Sequence, residues 1–190
     1  MSFRDFVPLV QSLPTILRET STAVDAWREI RERERAVGRA ATELPDGDID
    51  AEVAVVAEQL ERVFRESPLP PGLQLLCFGL FAAANPETFE EEAGYYVGGS
   101  TRELSFTIDS SAELAGDVED YQPENRYLDS PLLQRIKVAA LATDADYDRY
   151  DYAVMLGAAA VLSLYALRRL GMSSRLVVGF DSGDAVDLRA

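Results

Sequence analysis

The stretch TDADYDRYDY places four aspartates within eight positions. Alternating carboxylates of this kind can begin a calcium loop, which also needs glycine at its sixth position and a bidentate glutamate at its twelfth. Asp144, Asp146 and Asp148 fill the first, third and fifth positions, but Arg149 and Met155 stand at the sixth and twelfth. The spacing therefore excludes this loop type. The three aspartates stay weak metal candidates for a hydrated Na⁺, K⁺ or Mg²⁺ ion, and solvated surface is the favoured interpretation.

A second acidic repeat, DGDIDAEV, has Asp46, Asp48 and Asp50 at alternate positions. It fails the calcium-loop test in the same way, because Ala51 and Ala57 stand where glycine and glutamate are needed. An amphipathic helix follows this repeat, and a short acidic side chain just before a helix accepts from its free backbone N–H groups. We therefore predict that Asp48 or Asp50 caps that helix.

The composition excludes several classes of chemistry. The chain has no histidine, which removes histidine acid–base catalysis, Ser–His and Cys–His nucleophiles and most zinc or copper sites. Its one cysteine, Cys77, cannot form an internal disulfide and lies in an apolar run, which predicts a buried thiol. Glycine-rich phosphate loops are missing from the sequence. We predict no cofactor, and an enzyme built from this chain would depend on carboxylates, tyrosine, arginine, hydroxyls or Lys137.

Charge is the most unusual property of the sequence. It has 33 acidic and 18 basic residues, a formal net charge of −15, and Lys137 is its only lysine. Self-repulsion of this size weakens when salt shortens the Debye length to about 3 Å near 1 M. The composition therefore predicts a high-salt setting, either the cytoplasm of a halophilic archaeon or the virion of one of its viruses. The same charge repels phosphate backbones, so we predict no nucleic-acid partner.

Residues 14–44 carry a seven-residue repeat of apolar or small side chains, which predicts a helix packed nearly parallel to a neighbour. The repeat and its intervening row contain Ile16, Ala23, Ile30, Val37, Leu44, Leu13, Trp27 and Ala41. Because Thr20 and Glu34 interrupt the second row, we favour packing within the chain over an oligomeric coiled coil. The coiled-coil alternative makes Trp27, Ile30 and Val37 interface candidates. The interleaved charges of REIRERER predict a solvated helix face.

Two uncharged apolar runs predict buried helices, one over residues 73–84 and one over residues 152–167. Both are shorter than the roughly 20 apolar residues that cross a bilayer, so we predict no membrane span. A helix that is apolar all round must be covered on every side. We expect the second run to be the central helix of the domain, and partial cover by another subunit is the alternative.

Terminal signals place the other helices. Pro14 marks a restart after a short first helix, and Asn85 begins a short acidic helix that Gly94 closes. Ser130 caps a helix that runs to about residue 142, and Gly171 ends the last helix, which begins near residue 146.

Alternation predicts the strands. Apolar and polar residues alternate over residues 104–108, with residues 95–97 as a hairpin partner, and residues 174–189 form a second hairpin about the turn DSGD. Residues 112–129 are polar and acidic, which predicts a mobile loop.

Tyrosines in the polar segments are the last candidates. Tyr121 and Tyr127 lie in the acidic loop, and Tyr147 and Tyr150 lie among the aspartates of residues 143–152. Aromatic rings in such segments are common at protein interfaces, and they also pack down as lids on a core. We keep these four tyrosines as interface candidates.

Together these patterns predict a single domain over residues 1–190. Its parts are helices over about residues 1–94, a hairpin and acidic loop over 95–129, and helices with a hairpin over 130–190. The fold class is mostly α (α+β), a bundle of about five or six helices with a small antiparallel hairpin or sheet. We predict a non-catalytic assembly subunit of a larger or homo-oligomeric complex, with a protein partner or self-association. The alternative is a carboxylate-dependent, Mg²⁺-assisted enzyme or a small-ligand-binding protein.

Overall fold

The computed structural model describes residues 7–36, 48–84, 91–103, 120–141, 150–180 and 185–188. Within these ranges the chain forms five helices and four strands. They are α1 (Val7–Glu19), α2 (Ala23–Ala36), α3 (Ile49–Glu66), β1 (Leu75–Ala84), β2 (Glu91–Ser100), α4 (Pro131–Leu141), α5 (Tyr150–Arg169), β3 (Leu176–Phe180) and β4 (Ala185–Leu188). The α+β class is confirmed. The predicted bundle with an antiparallel hairpin is confirmed only in part, because the strands form one mixed sheet.

The sheet has the strand order β2-β1-β3-β4. β1 pairs antiparallel with β2 and parallel with β3, in a register that joins Leu76 to Leu176. β3 and β4 pair antiparallel, as the C-terminal hairpin prediction requires. The parallel pairing of β1 with β3 was not predicted, because it joins segments that are distant in the sequence and no local signal marks such a contact.

The predicted helix over residues 73–84 is wrong, because most of that run forms β1. Leu76 and Phe78 belong to the main core beneath the helices, whereas Leu75 and Cys77 belong to a second buried cluster. Strand residues alternate between faces, so both faces of β1 are shielded from water. A strand buried on both faces is apolar at every position, and its sequence then resembles that of a buried helix. The prediction that the Cys77 thiol is buried is confirmed.

The predicted acidic helix closed by Gly94 is also wrong where it can be compared, because residues 91–94 belong to β2. Gly94 lies opposite Phe81 in the ladder, and the Phe81 ring occupies the space that a Cβ would need. Glycine is therefore used here for close packing and not to end a helix. Residues 95–97 form a strand as predicted, but their partner is β1. Asn85 and residues 104–108 lie outside the described residues.

The first two helices correct the prediction drawn from the seven-residue repeat, which was one continuous helix. Pro14 lies inside α1 and does not mark a restart. The break comes later, where the backbone N–H of Thr20 still bonds to the Ile16 carbonyl and the Thr22 hydroxyl accepts from Asp25 N at 3.1 Å. Thr22 thus caps α2, and the predicted continuous repeat is divided between two helices.

α5 is the central helix of the fold, as predicted. Its residues 153–167 are all buried, and it contacts α1, α2, α3, α4, β1 and β3. Gly157 permits the closest approach, since a Cβ there would lie 3.1 Å from Ile30 and 3.5 Å from Leu13. The cover of α5 therefore comes from its own chain, and a second subunit is not needed for it. In the described ranges no helix is long and apolar enough to cross a membrane.

The cap predictions hold where the structure describes them. Asp48 accepts from Ala51 N at 3.1 Å at the start of α3, and Ser130 accepts from Leu133 N at 3.3 Å at the start of α4. Gly171 follows α5 with φ +68°, a left-handed conformation that ends a helix at little cost for glycine. These local signals set the ends of α3, α4 and α5, and thereby the positions of the surfaces between them.

Candidate functional site

Carboxylate clusters do not form a site in the described part of the molecule. Asp144, Asp146 and Asp148 lie outside the described residues. Within those residues, no group of three or more His, Cys, Asp or Glu side chains is arranged to hold a metal ion. Asp48, from the second acidic repeat, caps α3. The side chains left to carry function in the described residues are therefore mainly aromatic residues and arginines.

Three of the interface candidates lie inside the folded chain. Ile30 is fully buried against Gly157 of α5. Trp27 is 5% exposed, and Tyr121 is buried with its hydroxyl donating to the Ser67 carbonyl at 2.6 Å. These contacts hold α2 and the loop before α4 in place. The chain itself covers Ile30 and Tyr121, so we do not carry them forward as contact residues.

Tyr127 is the interface candidate that the structure places at the surface, with 60% of its side-chain area exposed. Val37 and Tyr147 lie outside the described residues. Tyr150 begins α5, but the side-chain surroundings of that residue are not described. A protein-binding surface is therefore best sought around Tyr127.

The segment that carries Tyr127 lies along the edge of β2. Gly99 and Tyr121 exchange two backbone hydrogen bonds of 3.0 Å, and Val97 N donates to the Arg126 carbonyl at 3.0 Å. Edge strands expose unpaired backbone groups, and this segment satisfies those of β2. The part of the predicted acidic loop that is described, residues 120–129, is thus fixed to the sheet by backbone hydrogen bonds.

Side chains tie the same segment to α3 and to the end of β2. Gln59 both donates to the Asp129 carbonyl, at 2.9 Å, and accepts from Asp129 N, at 2.8 Å. At the other end, Asp120 accepts from the backbone N and the hydroxyl of Thr101, at 2.8 and 2.6 Å. These hydrogen bonds, that of the Thr101 side chain above all, lower the pKa of Asp120 from its usual value of 3.8. The segment is anchored at both ends, which fixes the position of Tyr127 between them.

Tyr127 belongs to a cluster of rings on the face of the sheet that points away from the helices. Its ring centroid lies 5.8 Å from that of Phe81 and 6.5 Å from that of Tyr96, both in edge-on geometry. The guanidinium of Arg126 stands 4.7 Å above the Tyr96 ring and 5.7 Å from that of Tyr127. We call Phe81, Tyr96, Arg126 and Tyr127 the Tyr127 surface.

Two glycines form the floor of this surface. Tyr96 stands opposite Gly79 in the β1–β2 register, and Phe81 stands opposite Gly94. Each ring lies across its glycine, in the space that a Cβ would occupy. Because the rings lie flat on the ladder, Tyr96 is buried although it faces away from the helical layer. The exposed ring of Tyr127 therefore rests on a base that β-sheet pairing holds in place.

A polar cleft of about 430 Å³ lies beside Tyr127, lined also by Arg62, Glu66, Glu124 and Asn125. Asn125 donates to Glu66 at 2.8 Å, which joins the two sides of the cleft. An aromatic ring surrounded by a polar rim is an arrangement that is common at protein interfaces.

A second cleft, of about 290 Å³, lies at the opposite end of α3. Val24, Trp27, Arg28, Arg31 and Arg35 of α2 line one side of it, and Asp48 and Ile49 line the other. The Arg31 guanidinium stands 5.7 Å from the centre of the Trp27 ring. We call this site the Trp27 cleft.

The Trp27 cleft corrects the prediction that REIRERER is a solvated face. Arg31 and Glu34 are buried, with exposures of 5% and 2%, and lie 3.1 Å apart as an ion pair. The solvated interpretation holds for Arg28 with Asp25 and for Arg33 with Glu29, pairs whose side chains are 39–59% accessible. Arginines two or three positions apart on one helix thus have different surroundings, because only one face of α2 is covered.

The buried hydroxyls of Tyr95 and Ser163 join the sheet to the central helix. Ser163 Oγ donates to the Ala159 carbonyl at 2.7 Å, so the hydroxyl of Tyr95, in hydrogen-bond contact with it, must be the donor of that bond. Burial raises the pKa of Tyr95 well above its usual value. Tyr95 therefore stays neutral at ordinary pH and joins β2 to α5.

Comparisons of this chain with protein-family models, with curated proteins and with solved structures find no match. The geometry of the Tyr127 surface and of the Trp27 cleft is therefore the basis for a functional assignment.

Sequence reasoning found Tyr127 and Trp27 but missed their neighbours. Phe81 and Tyr96 join Tyr127 only through the β1–β2 register, which no local pattern shows. The arginine stripe of the Trp27 cleft could have been recognised in the sequence, since Arg28, Arg31 and Arg35 are spaced by three and four positions and therefore share one side of a helix.

Proposed function

We propose that this protein is a non-catalytic assembly subunit that binds another protein through the Tyr127 surface. The observation that carries the proposal is the Tyr127 ring, which is 60% exposed although it is packed edge-on against two other rings. We place the protein in a high-salt setting, a halophilic cytoplasm or a virion, because of its net charge of −15.

The chemistry of the Tyr127 surface suits protein binding. Tyrosine and arginine are enriched among the residues that contribute most to protein interfaces. Arg126 and the two underlying rings already hold Tyr127, so a partner would order few further side-chain torsions when it covers the ring. Little conformational entropy would then oppose the contact.

The rim of the surface suggests the chemistry of the partner. Glu66 and Glu124 place two carboxylates beside Tyr127, and Arg62 is the cation that lines the same cleft in the described residues. A partner segment with an apolar side chain for the ring and an arginine or lysine for the carboxylates would complement this rim. Because molar salt shortens the Debye length to about 3 Å, these charges act only in direct contact. Nucleic acid is not proposed as a partner.

Self-association is the homo-oligomeric form of the same proposal. Two copies, each with a net charge of −15, repel one another in dilute buffer. That repulsion is screened in molar salt, where the Tyr127 surfaces of two copies would be able to approach. A magnesium-dependent enzyme, the earlier alternative, gains no support from the carboxylates that the structure describes.

Light scattering coupled to size-exclusion chromatography in about 2–3 M KCl tests the proposal, since high salt screens the repulsion. We expect a species larger than the 20.9 kDa chain, either a homo-oligomer or a stoichiometric complex with a co-purifying subunit. Tyr127→Ala should return the protein to the monomer, whereas Tyr127→Phe, which keeps the ring, should leave the assembly intact.

Val55→Ala is the matched control, because Val55 is an exposed apolar residue on α3, 42% accessible, and lies outside the Tyr127 surface. It should leave the assembly unchanged. A wild-type protein that elutes as a clean monomer at all concentrations, with no co-purifying chain, overturns the proposal. An assembly that Tyr127→Ala leaves intact shows that the Tyr127 surface is not the contact.

A further inference from the structure

The Trp27 cleft is separate from the proposed protein-binding surface. It lies at the N-terminal end of α3, beside Asp48 and Ile49, whereas Arg62 and Glu66 of the Tyr127 rim lie at the C-terminal end. α3 has 18 residues, so the two sites are about 25 Å apart along the helix. A ligand in the Trp27 cleft would therefore leave the Tyr127 surface accessible.

One stripe of α2 forms the main wall of the cleft. Val24 is followed at three and four positions by Trp27 and Arg28, and these by Arg31 and then Arg35, which places the five residues on one side of the helix. The stripe begins apolar and becomes cationic toward the C-terminal end of α2. A ligand that matches it has an apolar part at one end and an anionic group at the other.

Three buried donor atoms in the wall have no hydrogen-bond acceptor among the residues described. They are the indole Nε1 of Trp27 and the guanidinium Nε and Nη1 of Arg31. Both side chains are only 5% exposed, so hydrogen bonds to bulk water do little to satisfy these donors. Arg31 Nη1 lies 3.1 Å from Glu34 Oε2, but the atoms are not aligned for a hydrogen bond. Buried donors of this kind are rare in folded proteins and indicate an acceptor that comes from elsewhere.

The charges around the cleft favour a singly charged ligand. The Arg31 charge is already opposed by Glu34, and Arg28 is paired with Asp25 at 2.9 Å. Asp48 adds a carboxylate at the opposite wall, although its side chain is engaged in capping α3. A dianion such as phosphate would meet more negative charge than a carboxylate would, whereas Arg35, exposed at the rim, adds one cation.

We propose that the Trp27 cleft binds a small organic monocarboxylate with an apolar body. The carboxylate accepts from Trp27 Nε1 and Arg31 Nε, two of the donor atoms that lack an acceptor, and the apolar body lies against Val24 and Ile49. The volume of about 290 Å³ is at the lower end of the range for ligand pockets, which limits the body to about one ring or one branched chain.

Trp27 is the only tryptophan of the chain, so its fluorescence reports on the cleft directly. Phenylacetate and 4-methylpentanoate are the probes. They are titrated in about 2 M KCl, because salt at this concentration screens the repulsion among the acidic side chains. The chloride concentration is then the same in every titration, so competition from chloride is constant. Phenylacetamide, which has the same body without the charge, and inorganic phosphate are the comparison ligands. We expect a saturable change in fluorescence with the two carboxylates and at least tenfold weaker binding of the other two.

Arg31→Gln removes the cationic donor, and Arg33→Gln is its matched control, since Arg33 is a half-exposed arginine on α2 that does not line the cleft and pairs with Glu29 at 2.7 Å. Arg31→Gln should weaken phenylacetate binding at least tenfold and Arg33→Gln should leave it unchanged. If Arg31→Gln does not fold, Trp27→Phe decides the question by calorimetry, because it keeps an apolar ring without the N–H. That variant should also bind at least tenfold more weakly.

Three results would overturn the proposal. One is the lack of a saturable signal with either carboxylate. A second is equal binding of phenylacetate and phenylacetamide, which would show an apolar pocket without anion recognition. The third is equal weakening by Arg31→Gln and Arg33→Gln, which would show only general attraction to α2. None of these measurements depends on assembly through Tyr127. Repeating them in the Tyr127→Ala variant separates ligand binding in the Trp27 cleft from assembly through the Tyr127 surface.

Discussion

An arginine stands close to an aromatic ring at both ends of α3, but the two pairs differ in their access to water. Arg31 and Trp27 are each 5% exposed, whereas Tyr127, beside Arg126, is 60% exposed. The buried pair has lost its water and keeps donors without acceptors in the described structure. The exposed pair stays hydrated. An arginine beside an aromatic ring thus supports the proposal of a small anionic ligand in one place and the proposal of a protein contact in the other.

The two sites also differ in how they are assembled. The main wall of the Trp27 cleft comes from one helix, so its residues lie on consecutive turns of α2. The Tyr127 surface brings together β1, β2 and the segment before α4, which meet only in the folded sheet. Changes at the Trp27 cleft should therefore act through burial and charge, whereas changes at the Tyr127 surface should act through the packing of the strands.

The largest difference should appear when each arginine is replaced. Arg31→Met leaves the buried carboxylate of Glu34 without this cation, and removing one partner of a buried pair costs about 3 kcal/mol. Arg126→Met removes a more exposed contact with aromatic rings, which costs about 0.5–1 kcal/mol. Urea unfolding of both variants in molar KCl measures the two free energies.

A double variant sharpens this prediction. Arg31→Met with Glu34→Leu removes both charges, and a buried ion pair replaced by apolar groups is close to neutral for stability. We expect the double variant to regain most of the free energy of unfolding that Arg31→Met loses. Equal effects of Arg31→Met and Arg126→Met would contradict the assignment of one pair as buried and the other as exposed.

The next largest effect should come from the floor of the Tyr127 surface. Gly79→Ala places a Cβ where the Tyr96 ring lies, and overpacking of this kind costs about 1–3 kcal/mol. In a Tyr96→Ala background the added methyl has room, so Gly79→Ala should then cost much less. Unfolding free energies of the two single variants and the double variant form the cycle that measures this coupling. Additive effects would show that the ring does not rest on Gly79.

The smallest effect should come from Asp120, which anchors one end of the segment that carries Tyr127. Its pKa lies below 3.8 in the folded protein because Thr101 donates to the carboxylate. The stabilisation is therefore complete above the unfolded pKa and is lost as the pH falls through the folded pKa. Asp120→Asn should lower the free energy of unfolding slightly at neutral pH, and the difference from wild type should vanish in acid. A difference that is constant with pH would contradict this account of Asp120.

The sequence predicted the elements whose signals are local. The cap at Asp48, the cap at Ser130 and the stop at Gly171 each depend on a few neighbouring residues, and the structure has all three. The Tyr127 surface was predictable only as far as its signals are local. Tyr127 was found as an aromatic residue in a polar segment, but its exposure, and the burial of Tyr121 six positions earlier, depend on the way the segment lies on β2.

Two apolar runs separate what the sequence determined from what the tertiary structure decided. The sequence predicted that the runs 73–84 and 152–167 are buried, because neither carries a charge that water could solvate, and the structure buries residues 75–80 and 153–167. It also determined the net charge of −15 and the absence of histidine chemistry. Only the tertiary structure decided that the first run is an inner strand of the sheet, whereas the second is the central helix that its sequence predicted. A segment covered on all sides is apolar at every position in either conformation, so its periodicity vanishes and its neighbours select its form.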